Sequence, residues 1–273
     1  MTELVLTPQV FAILSALIEE RTGMHYTADD RGLLADKLTP RVAERGLESL
    51  LDYYYYLRYD PGADAELTHL IDALVVNETY FFREVPALEL AVNTLVPELV
   101  RSGVRPRIWC AACATGEEPL TLAMLLDRAA LLDDVTLVAS DISRRALARA
   151  REGTYFRRSL RALPADAIGP WLTPDGEGVR VEQRLLNAVD FRRVNLIDEK
   201  QVAELGRFDL IFCRNVLIYF SDARVESVIA SLWRALSPGG RLFVGTSESL
   251  LRFDSAFLCE ERAGTFFYRK RNE

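Results

Sequence analysis

Histidine and cysteine are both scarce in this chain of 273 residues. It has two histidines, His25 and His69, and four cysteines. A metal site of thiolates and imidazoles needs clustered ligands, and Cys110 and Cys113 have no second pair to complete such a site. Four cysteines in a chain of this length also do not form the dense framework of a small secreted domain. We therefore expect reduced cysteines and no metal.

Long apolar runs and an excess of positive charge are also missing. No stretch approaches the roughly 20 apolar residues that cross a bilayer, and the N-terminus lacks the basic start of a secretory signal. The formal net charge is −7, which argues against a protein that neutralises nucleic-acid phosphates. We expect a cytoplasmic protein that neither inserts into a membrane nor binds nucleic acid.

A three-glycine dinucleotide fingerprint is absent, yet residues 107–124 predict a strand, a tight turn and a helix. The turn contains Gly116, and Glu117, Glu118 and Pro119 begin the helix. Small residues let a ligand approach the backbone, but a pyrophosphate favours bare N–H groups without a neighbouring carboxylate. A phosphate-free, sulfonium-bearing cofactor such as S-adenosylmethionine suits this turn better.

A second predicted strand, 135–141, ends in Asp141. Asp141 follows Glu117 by 24 residues, close to the spacing of about 20 at which an acidic residue meets ribose hydroxyls. The alternative is that Asp141 caps a helix that begins near Ser143. We favour a ligand contact, because successive strands that end in acidic residues are typical of a nucleotide crevice.

The hydrophobic pattern divides the chain near residue 76. Residues 1–76 show helical periodicity alone, and strands then alternate with helices, which indicates an α/β fold with a parallel sheet. The clearest strands are 107–112, 135–141, 208–214 and 241–246. Residues 266–269 predict a terminal edge strand. Residues 173–181 suggest a small β excursion within about 154–193.

Seven stretches together form a family-specific set. They are Asn77–Glu84, Trp109–Pro119, Ala139–Ile142, Val194–Leu196, Phe208–Phe220, Pro238–Gly240 and Gly245–Glu248. Together they resemble the chemotaxis receptor methyltransferases over nearly the whole chain. The resemblance implies a class I, Rossmann-like S-adenosylmethionine-dependent methyltransferase domain, 77–273, with a β-subdomain within about 154–193. It also implies a helical receptor-recognition domain, 1–76.

The activity that the resemblance implies is protein-glutamate O-methylation. The methyl group of S-adenosylmethionine goes to glutamates on the cytoplasmic helical bundle of methyl-accepting chemotaxis receptors, and S-adenosylhomocysteine is the product. A monomer recruited to receptor arrays is expected. Carried over position by position, the cofactor-binding residues are Asn77, Thr79, Arg83, Glu117, Asp141, Asn195, Leu196, Asn215 and Val216.

Glutamate methylation makes modest chemical demands. Glutamate has a pKa of about 4.3, so the nucleophile is already ionised and needs no general base. Catalysis then consists of alignment and removal of water. We predict two catalytic residues. Arg83 holds a carboxylate of the cofactor or of the substrate through its planar fork, and Tyr219 orients the incoming glutamate, unless it is a core aromatic below the crevice.

Receptor binding is predicted at a basic stripe. Lys37, Arg41 and Arg45 recur every four residues, so they share one helix face. Such a stripe is usually a solvated face, but against the negative net charge it is the best candidate for the receptor-binding surface. Some relatives also bind a receptor's C-terminal peptide through the β-subdomain. The loop 172–178 is short here, so we predict that no peptide tether is used.

Two other functions remain open on the sequence. One is a methyltransferase for another substrate, such as a nucleic-acid base. Enzymes of that kind typically carry an Asn/Asp-Pro-Pro-aromatic turn after the fourth strand, whereas Arg214–Tyr219 contains no proline. The other is a cofactor-binding adaptor of receptor arrays without turnover, against which Arg83 and Tyr219 argue.

Overall fold

The computed structural model describes residues 4–253 and 255–271. Its contacts define two compact units. The first comprises the residues up to Val76 together with Tyr219–Arg224, and the second comprises Asn77–Ile218 and the residues from Val225 onward. Across the described ranges, no helix is both long and apolar enough to span a bilayer.

The first unit is built from helices. They are α1 (Pro8–Thr22), α2 (Arg31–Glu44), α3 (Leu50–Tyr59) and α4 (Ala63–Leu74). The Thr7 hydroxyl accepts the Val10 N–H at the start of α1, and the Ser49 hydroxyl accepts the Asp52 N–H at the start of α3; both are ordinary N-caps. Leucines at helical spacing, fully buried, form the core between the helices. The predicted helical N-terminal region is therefore confirmed.

The second unit contains two sheets. The strands are β1 (Arg107–Ala111), β2 (Thr136–Asp141), β3 (Thr154–Phe156), β4 (Leu172–Asp175), β5 (Gly178–Val181), β6 (Val189–Arg193), β7 (Phe208–Cys213), β8 (Leu236–Phe243), β9 (Leu258–Arg262) and β10 (Thr265–Arg269). The main sheet has the order β6-β2-β1-β7-β8-β10-β9. From β6 to β8 all neighbours are parallel, and β10 is antiparallel to both β8 and β9.

Helices alternate with the strands of the main sheet. They are α5 (Pro86–Leu90), α6 (Val96–Arg101), α7 (Glu117–Arg128), α8 (Arg144–Glu152), α9 (Gln183–Asn187), α10 (Glu199–Glu204) and α11 (Asp222–Ala235). A π-helical turn, Ala91–Leu95, joins α5 to α6. Apart from Arg107 and Asp209 near their beginnings, the central strands β1 and β7 are apolar and buried, as expected of a parallel sheet whose faces are covered. The α/β fold class is confirmed.

The small sheet is three-stranded and antiparallel, with β5 between β3 and β4. It contains the β excursion predicted at residues 173–181. Strand β6 belongs to the main sheet, where it pairs with β2. The turn between β4 and β5 includes Gly176 with φ 58°, a conformation that glycine adopts without strain.

Two strand predictions need correction. Residues 266–269 do form a strand, but β10 lies inside the sheet and β9 forms the edge. Burial explains the order, because Phe267 and Tyr268 are 3% and 6% exposed, whereas much of β9 is exposed. The strand predicted at 241–246 instead spans Leu236–Phe243, and its register with β7 shifts between Phe208 and Leu210.

Candidate active site

The carboxyl ends of β6, β2, β1 and β7 meet at one edge of the main sheet, where α/β proteins bind ligands. The turn after β1, residues 112–116, lies in the middle of this edge. The Cys113 N–H donates to the Ser140 carbonyl at 2.8 Å. Ala112 and Ala114 have φ values of 56° and 48°. Strained backbone at two small residues of one turn is typical of a functional turn.

Two glycines let the backbone approach closely at this edge. A Cβ on Gly116, where φ is 92°, would lie 2.7 Å from the Ala150 Cβ. A Cβ on Gly245 would lie 2.5 Å from the Asn215 Nδ2. Neither position accepts a larger residue without displacement of its neighbours.

Asp141 lies at the carboxyl end of β2 and is 6% exposed. Its Oδ2 accepts the Ala114 N–H at 2.9 Å, and its Oδ1 accepts the Ser143 N–H at 2.8 Å. The carboxylate therefore joins the turn after β1 to the turn after β2. The cap of α8 is the Ser143 hydroxyl, which accepts the Ala146 N–H at 3.0 Å. The N-cap residue of α8 is therefore Ser143, and Asp141 bonds to the N–H of that residue; the ribose contact of Asp141 stays a prediction.

Glu117, the first residue of α7, is directed into the protein and is 1% exposed. Its two carboxylate oxygens accept hydrogen bonds from the hydroxyls of Ser159 and Thr115, both at 2.7 Å. Burial raises the pKa of Glu117, and the two hydroxyls offset part of that rise. The sequence predicted that Glu117 binds the cofactor but did not predict that its side chain is buried.

Residues 77–85, here called the strap, contact the loops at the sheet edge. The Phe81 N–H donates to the Ser159 carbonyl at 2.9 Å, and the Phe82 N–H donates to the Thr121 hydroxyl at 3.1 Å. Phe82 has a φ of 61°, so the strap contains strained backbone. Asn77 and Thr79, two predicted cofactor-binding residues, lie half-buried on it.

Arg83 is the third predicted site residue on the strap. Its side chain is 26% exposed. Nη1 donates to the Glu78 carbonyl at 2.6 Å, and Nε lies 3.8 Å from the Glu84 Oε1. A backbone oxygen thus holds one side of the guanidinium, which also lies 5.9 Å from the centre of the Tyr80 ring.

A buried arginine ties the strap to the sheet edge. Arg214 directly follows β7, and its side chain is 2% exposed. Nη1 donates to the Glu118 Oε2 at 2.8 Å, and Nη2 donates to the Glu84 Oε2 at 3.0 Å. Nη2 also lies 3.1 Å from the carbonyls of Arg83 and Glu84. We call Arg214, Glu84 and Glu118 the Arg214 cluster; sequence reasoning assigned it no role.

Glu248 holds the loop after β7 and is 9% exposed. It accepts the N–H groups of Asn215, Leu217 and Gly245, each at 2.7 Å. Asn215 has a φ of 58°, and its Nδ2 donates to the Glu84 Oε1 at 3.3 Å. Glu248 is a second residue that sequence reasoning missed. Its signal was the stretch 245–248, which matched the family pattern but was given no chemistry.

The loop after β6 completes the edge. The Asn195 N–H donates to the Gln201 Oε1 at 2.9 Å, and the Ile197 N–H donates to the Asn195 Oδ1 at 3.3 Å. Leu196 is 6% exposed, and the Val194 N–H donates to the Asp141 carbonyl at 3.1 Å. Val216, after β7, is half-buried. The structure therefore brings the predicted cofactor-binding positions to one edge and the strap beside it.

The remaining predicted site residues belong to the first unit. The Tyr219 carbonyl accepts the His25 N–H at 2.8 Å. Lys37 donates to the Leu74 carbonyl, and Arg41 and Arg45 both bond to Glu66, which is fully buried. All three side chains of the basic stripe thus form hydrogen bonds within the first unit, which sequence reasoning did not predict. Its role toward a receptor stays a prediction, as does that of Tyr219.

The carboxylate and amide groups at the sheet edge fit a phosphate-free nucleoside with a cationic centre. Carboxylates and amides accept hydrogen bonds from ribose hydroxyls and from ammonium groups, whereas a pyrophosphate would meet like charge from them. Within ranges 4–253 and 255–271, no group of three or more metal-ligating side chains occurs. Cys110, Cys113 and Cys213 are buried free thiols, and burial raises their pKa values well above the usual range.

Comparisons with known proteins agree with this geometry. Residues 77–264 match the family described as "CheR methyltransferase, SAM binding domain", and residues 9–75 match "CheR methyltransferase, all-alpha domain". Chemotaxis protein methyltransferase 2 of Vibrio cholerae is 34% identical, over 98% of this chain and 96% of its own. The chemotaxis protein methyltransferase of Escherichia coli is 35% identical, over 94% and 90%. Chemotaxis protein methyltransferase 1 of Pseudomonas aeruginosa is 32% identical, over 88% and 90%.

Proposed function

The chain belongs to the CheR family of S-adenosylmethionine-dependent chemotaxis methyltransferases, and from that premise we propose that it methylates glutamate side chains on the cytoplasmic helical bundle of chemoreceptors. The products are the glutamate methyl ester and S-adenosylhomocysteine. The observation that best supports a carboxylate substrate is the state of Arg83. Its guanidinium donates to one backbone carbonyl, has the Glu84 carboxylate 3.8 Å away and remains 26% exposed, which suits a group that binds a further carboxylate.

Little acid–base chemistry is needed for this reaction. When bound, S-adenosylmethionine supplies a methyl group on a sulfonium centre. The substrate glutamate is already ionised at neutral pH, so the protein has to position it and exclude water. Arg83 is proposed to hold the carboxylate of the substrate or of the cofactor, and Tyr219 is proposed to orient the substrate. A contact that bound the nucleophile too tightly would lower its reactivity, so both roles are positioning.

Cofactor binding is assigned to the residues at the sheet edge and on the strap. They are Asn77, Thr79, Arg83, Glu117, Asp141, Asn195, Leu196, Asn215 and Val216. Asp141 and Glu117 supply acidic hydrogen-bond acceptors, and the backbone of the strained turn at residues 112–116 can approach the ligand closely. Since Asp141 also fixes that turn, its replacement is expected to affect the local fold as well as the affinity.

The decisive experiment is transfer of a labelled methyl group to receptor-containing membranes. Label that alkali releases as methanol identifies a carboxyl methyl ester. Arg83→Gln is expected to lower kcat/KM by about 100-fold, because loss of alignment by one positioning group costs about that much. Arg101→Gln, an exposed arginine on α6, is the matched control.

Other results would favour the alternatives. Alkali-stable label, or label in nucleic acid, would indicate a methyltransferase for another substrate. Tight binding of S-adenosylmethionine without transfer to receptors would indicate an adaptor.

Receptor recognition is proposed to proceed without a C-terminal peptide tether. Strand β4 is an edge of the small sheet, where a peptide would add as a further strand. However, Pro174 lacks an N–H donor, and Asp175 is paired with Arg180 at 2.8 Å. Titration with receptor C-terminal peptides checks this proposal. Micromolar binding that maps to residues 172–181 would contradict it.

A further inference from the structure

An unusual share of the arginines lies in one short part of the second unit. Residues 142–165 contain seven arginines and a single acidic residue, Glu152, although acidic residues outnumber basic ones in the whole chain by 40 to 33. We call these seven the arginine surface; they are Arg144, Arg145, Arg149, Arg151, Arg157, Arg158 and Arg161. All seven are exposed.

The local fold explains their exposure. Helix α8 buries Ala146, Leu147 and Ala150, so its arginines fall on the opposite face. Among the described residues, neither Arg144 nor Arg157 bonds to a carboxylate. Within the arginine surface, ion pairs to Glu78 are made by two members, Arg158 and Arg161. The positive charges of Arg144 and Arg157 are therefore not neutralised by a carboxylate of the described residues.

The arginine surface adjoins the candidate active site within the same unit. The segment that follows α8 contacts the site directly, because the Ser159 hydroxyl donates to Glu117 and the Tyr155 hydroxyl donates to the Thr115 carbonyl at 2.6 Å. Glu78, which pairs with Arg158 and Arg161, belongs to the strap. The arginine surface therefore lies next to the predicted cofactor-binding residues.

We propose that the arginine surface docks an acidic helical face of the protein substrate and so presents its target glutamate to the site. This inference rests on the proposed function, since a substrate modified at glutamates brings carboxylates to the site. An exposed cationic surface attracts such a partner and sets its orientation. Nucleic acid is the other polyanion that arginines bind, but a net charge of −7 opposes long-range attraction to phosphates.

The test compares two double variants that remove equal charge. R144Q/R157Q alters two members of the arginine surface, and R101Q/R207Q alters two exposed arginines outside it. With receptor membranes at low salt, R144Q/R157Q is expected to raise KM by about three- to tenfold, as rim charges do. Its kcat and S-adenosylmethionine affinity should not change, and the defect should shrink as salt screens the charges.

The outcomes separate this inference from the proposed function. Ester formation by the parent with equal KM for both double variants would overturn the docking surface alone. Failure of the parent to form receptor esters would overturn both. Binding of a labelled DNA or RNA oligonucleotide that R144Q/R157Q abolishes and R101Q/R207Q preserves would show that the surface serves nucleic acid instead.

Discussion

Each unit of this protein contains a buried cluster of arginine and glutamate, and the two clusters are built in opposite proportions. In the first unit one carboxylate, Glu66, accepts from Arg41, Arg45 and Tyr53; we call these four the Glu66 cluster. In the Arg214 cluster one guanidinium serves two carboxylates, Glu84 and Glu118. Within these clusters the first has two cations for one carboxylate and the second has one cation for two carboxylates, although Glu44 also pairs with Arg41 and Arg83 lies 3.8 Å from Glu84.

The pKa values follow this difference. Burial alone would raise the pKa of Glu66, but hydrogen bonds from Arg41, Tyr53 and Arg45 lower it below the usual range. Burial raises the pKa of Glu118 in spite of Arg214. Burial also acts to raise the pKa of Glu84, but Arg214 together with hydrogen bonds from Asn215 and the Thr246 N–H lowers it. Several donors around one carboxylate stabilise its ionised form, whereas one arginine between two carboxylates stabilises their ionised forms to different degrees.

The backbone shows what each arrangement does. The Glu66 cluster joins regular helices α2, α3 and α4. The Arg214 cluster instead holds Glu84, a residue of the strap whose φ is 45°, through the hydrogen bond from the Arg214 Nη2. The Nε of Arg214 is buried and has no hydrogen-bond partner among the described residues. We expect the Arg214 cluster to preorganise a site, because it holds strained backbone next to predicted cofactor-binding residues, whereas the Glu66 cluster joins regular helices and stabilises the first unit.

The largest effect is expected from Arg214→Met. Removal of the guanidinium leaves two carboxylates without their cation and costs about 3–5 kcal/mol of unfolding free energy. Cofactor affinity should fall too, because the strap loses its anchor. Arg214→Lys keeps the charge without the fork and is expected to fold, so calorimetry on that variant tests the affinity. Parental stability and affinity in both variants would show that the cluster does not preorganise the site.

Glu66→Gln is the corresponding change in the first unit. Loss of charge-assisted hydrogen bonds is expected to cost about 2–3 kcal/mol, with no change in cofactor affinity. Because the folded-state pKa of Glu66 is lowered, its stabilisation is present above about pH 4.3 and is lost as pH falls through the folded value. Chemical denaturation at several pH values measures this difference. A fall in cofactor affinity would show that the Glu66 cluster, like the Arg214 cluster, affects cofactor binding.

The sequence predicted the elements of the sheet edge better than the contacts between them. Asp141 and Glu117 were found because strand periodicity and spacing locate the ends of parallel strands. Arg214 and Glu248 were missed, because their partners lie 130 and 33 residues away along the chain, and no local pattern encodes such pairings. The burial of Glu117 and the use of Arg41 and Arg45 by Glu66 were missed for the same reason.

Glu117→Gln is expected to change stability in the opposite direction from Glu66→Gln. Burial raises the pKa of Glu117, so its ionised form costs stability above the folded pKa, and that cost disappears as pH falls toward about 4.3. The amide should therefore stabilise the protein by about 1 kcal/mol at neutral pH, while it weakens cofactor binding. Thermal unfolding at neutral and acidic pH measures the first effect. A less stable variant at neutral pH would show that Glu117 is a structural acid like Glu66.

The smallest effect is expected from Arg45→Gln. The Arg45 side chain is 33% exposed, and Glu66 keeps Arg41 and Tyr53 as donors, so the loss of stability should be smaller than that of any variant above. The same variant tests the receptor-binding prediction for the basic stripe, because a docking residue also raises KM for receptor methylation at low salt. Glu44→Gln, which removes the other carboxylate near Arg41, is the matched control and should not raise KM. A small stability loss with unchanged KM would make the Glu66 cluster purely structural, and a raised KM would show that one cation serves both the fold and the receptor.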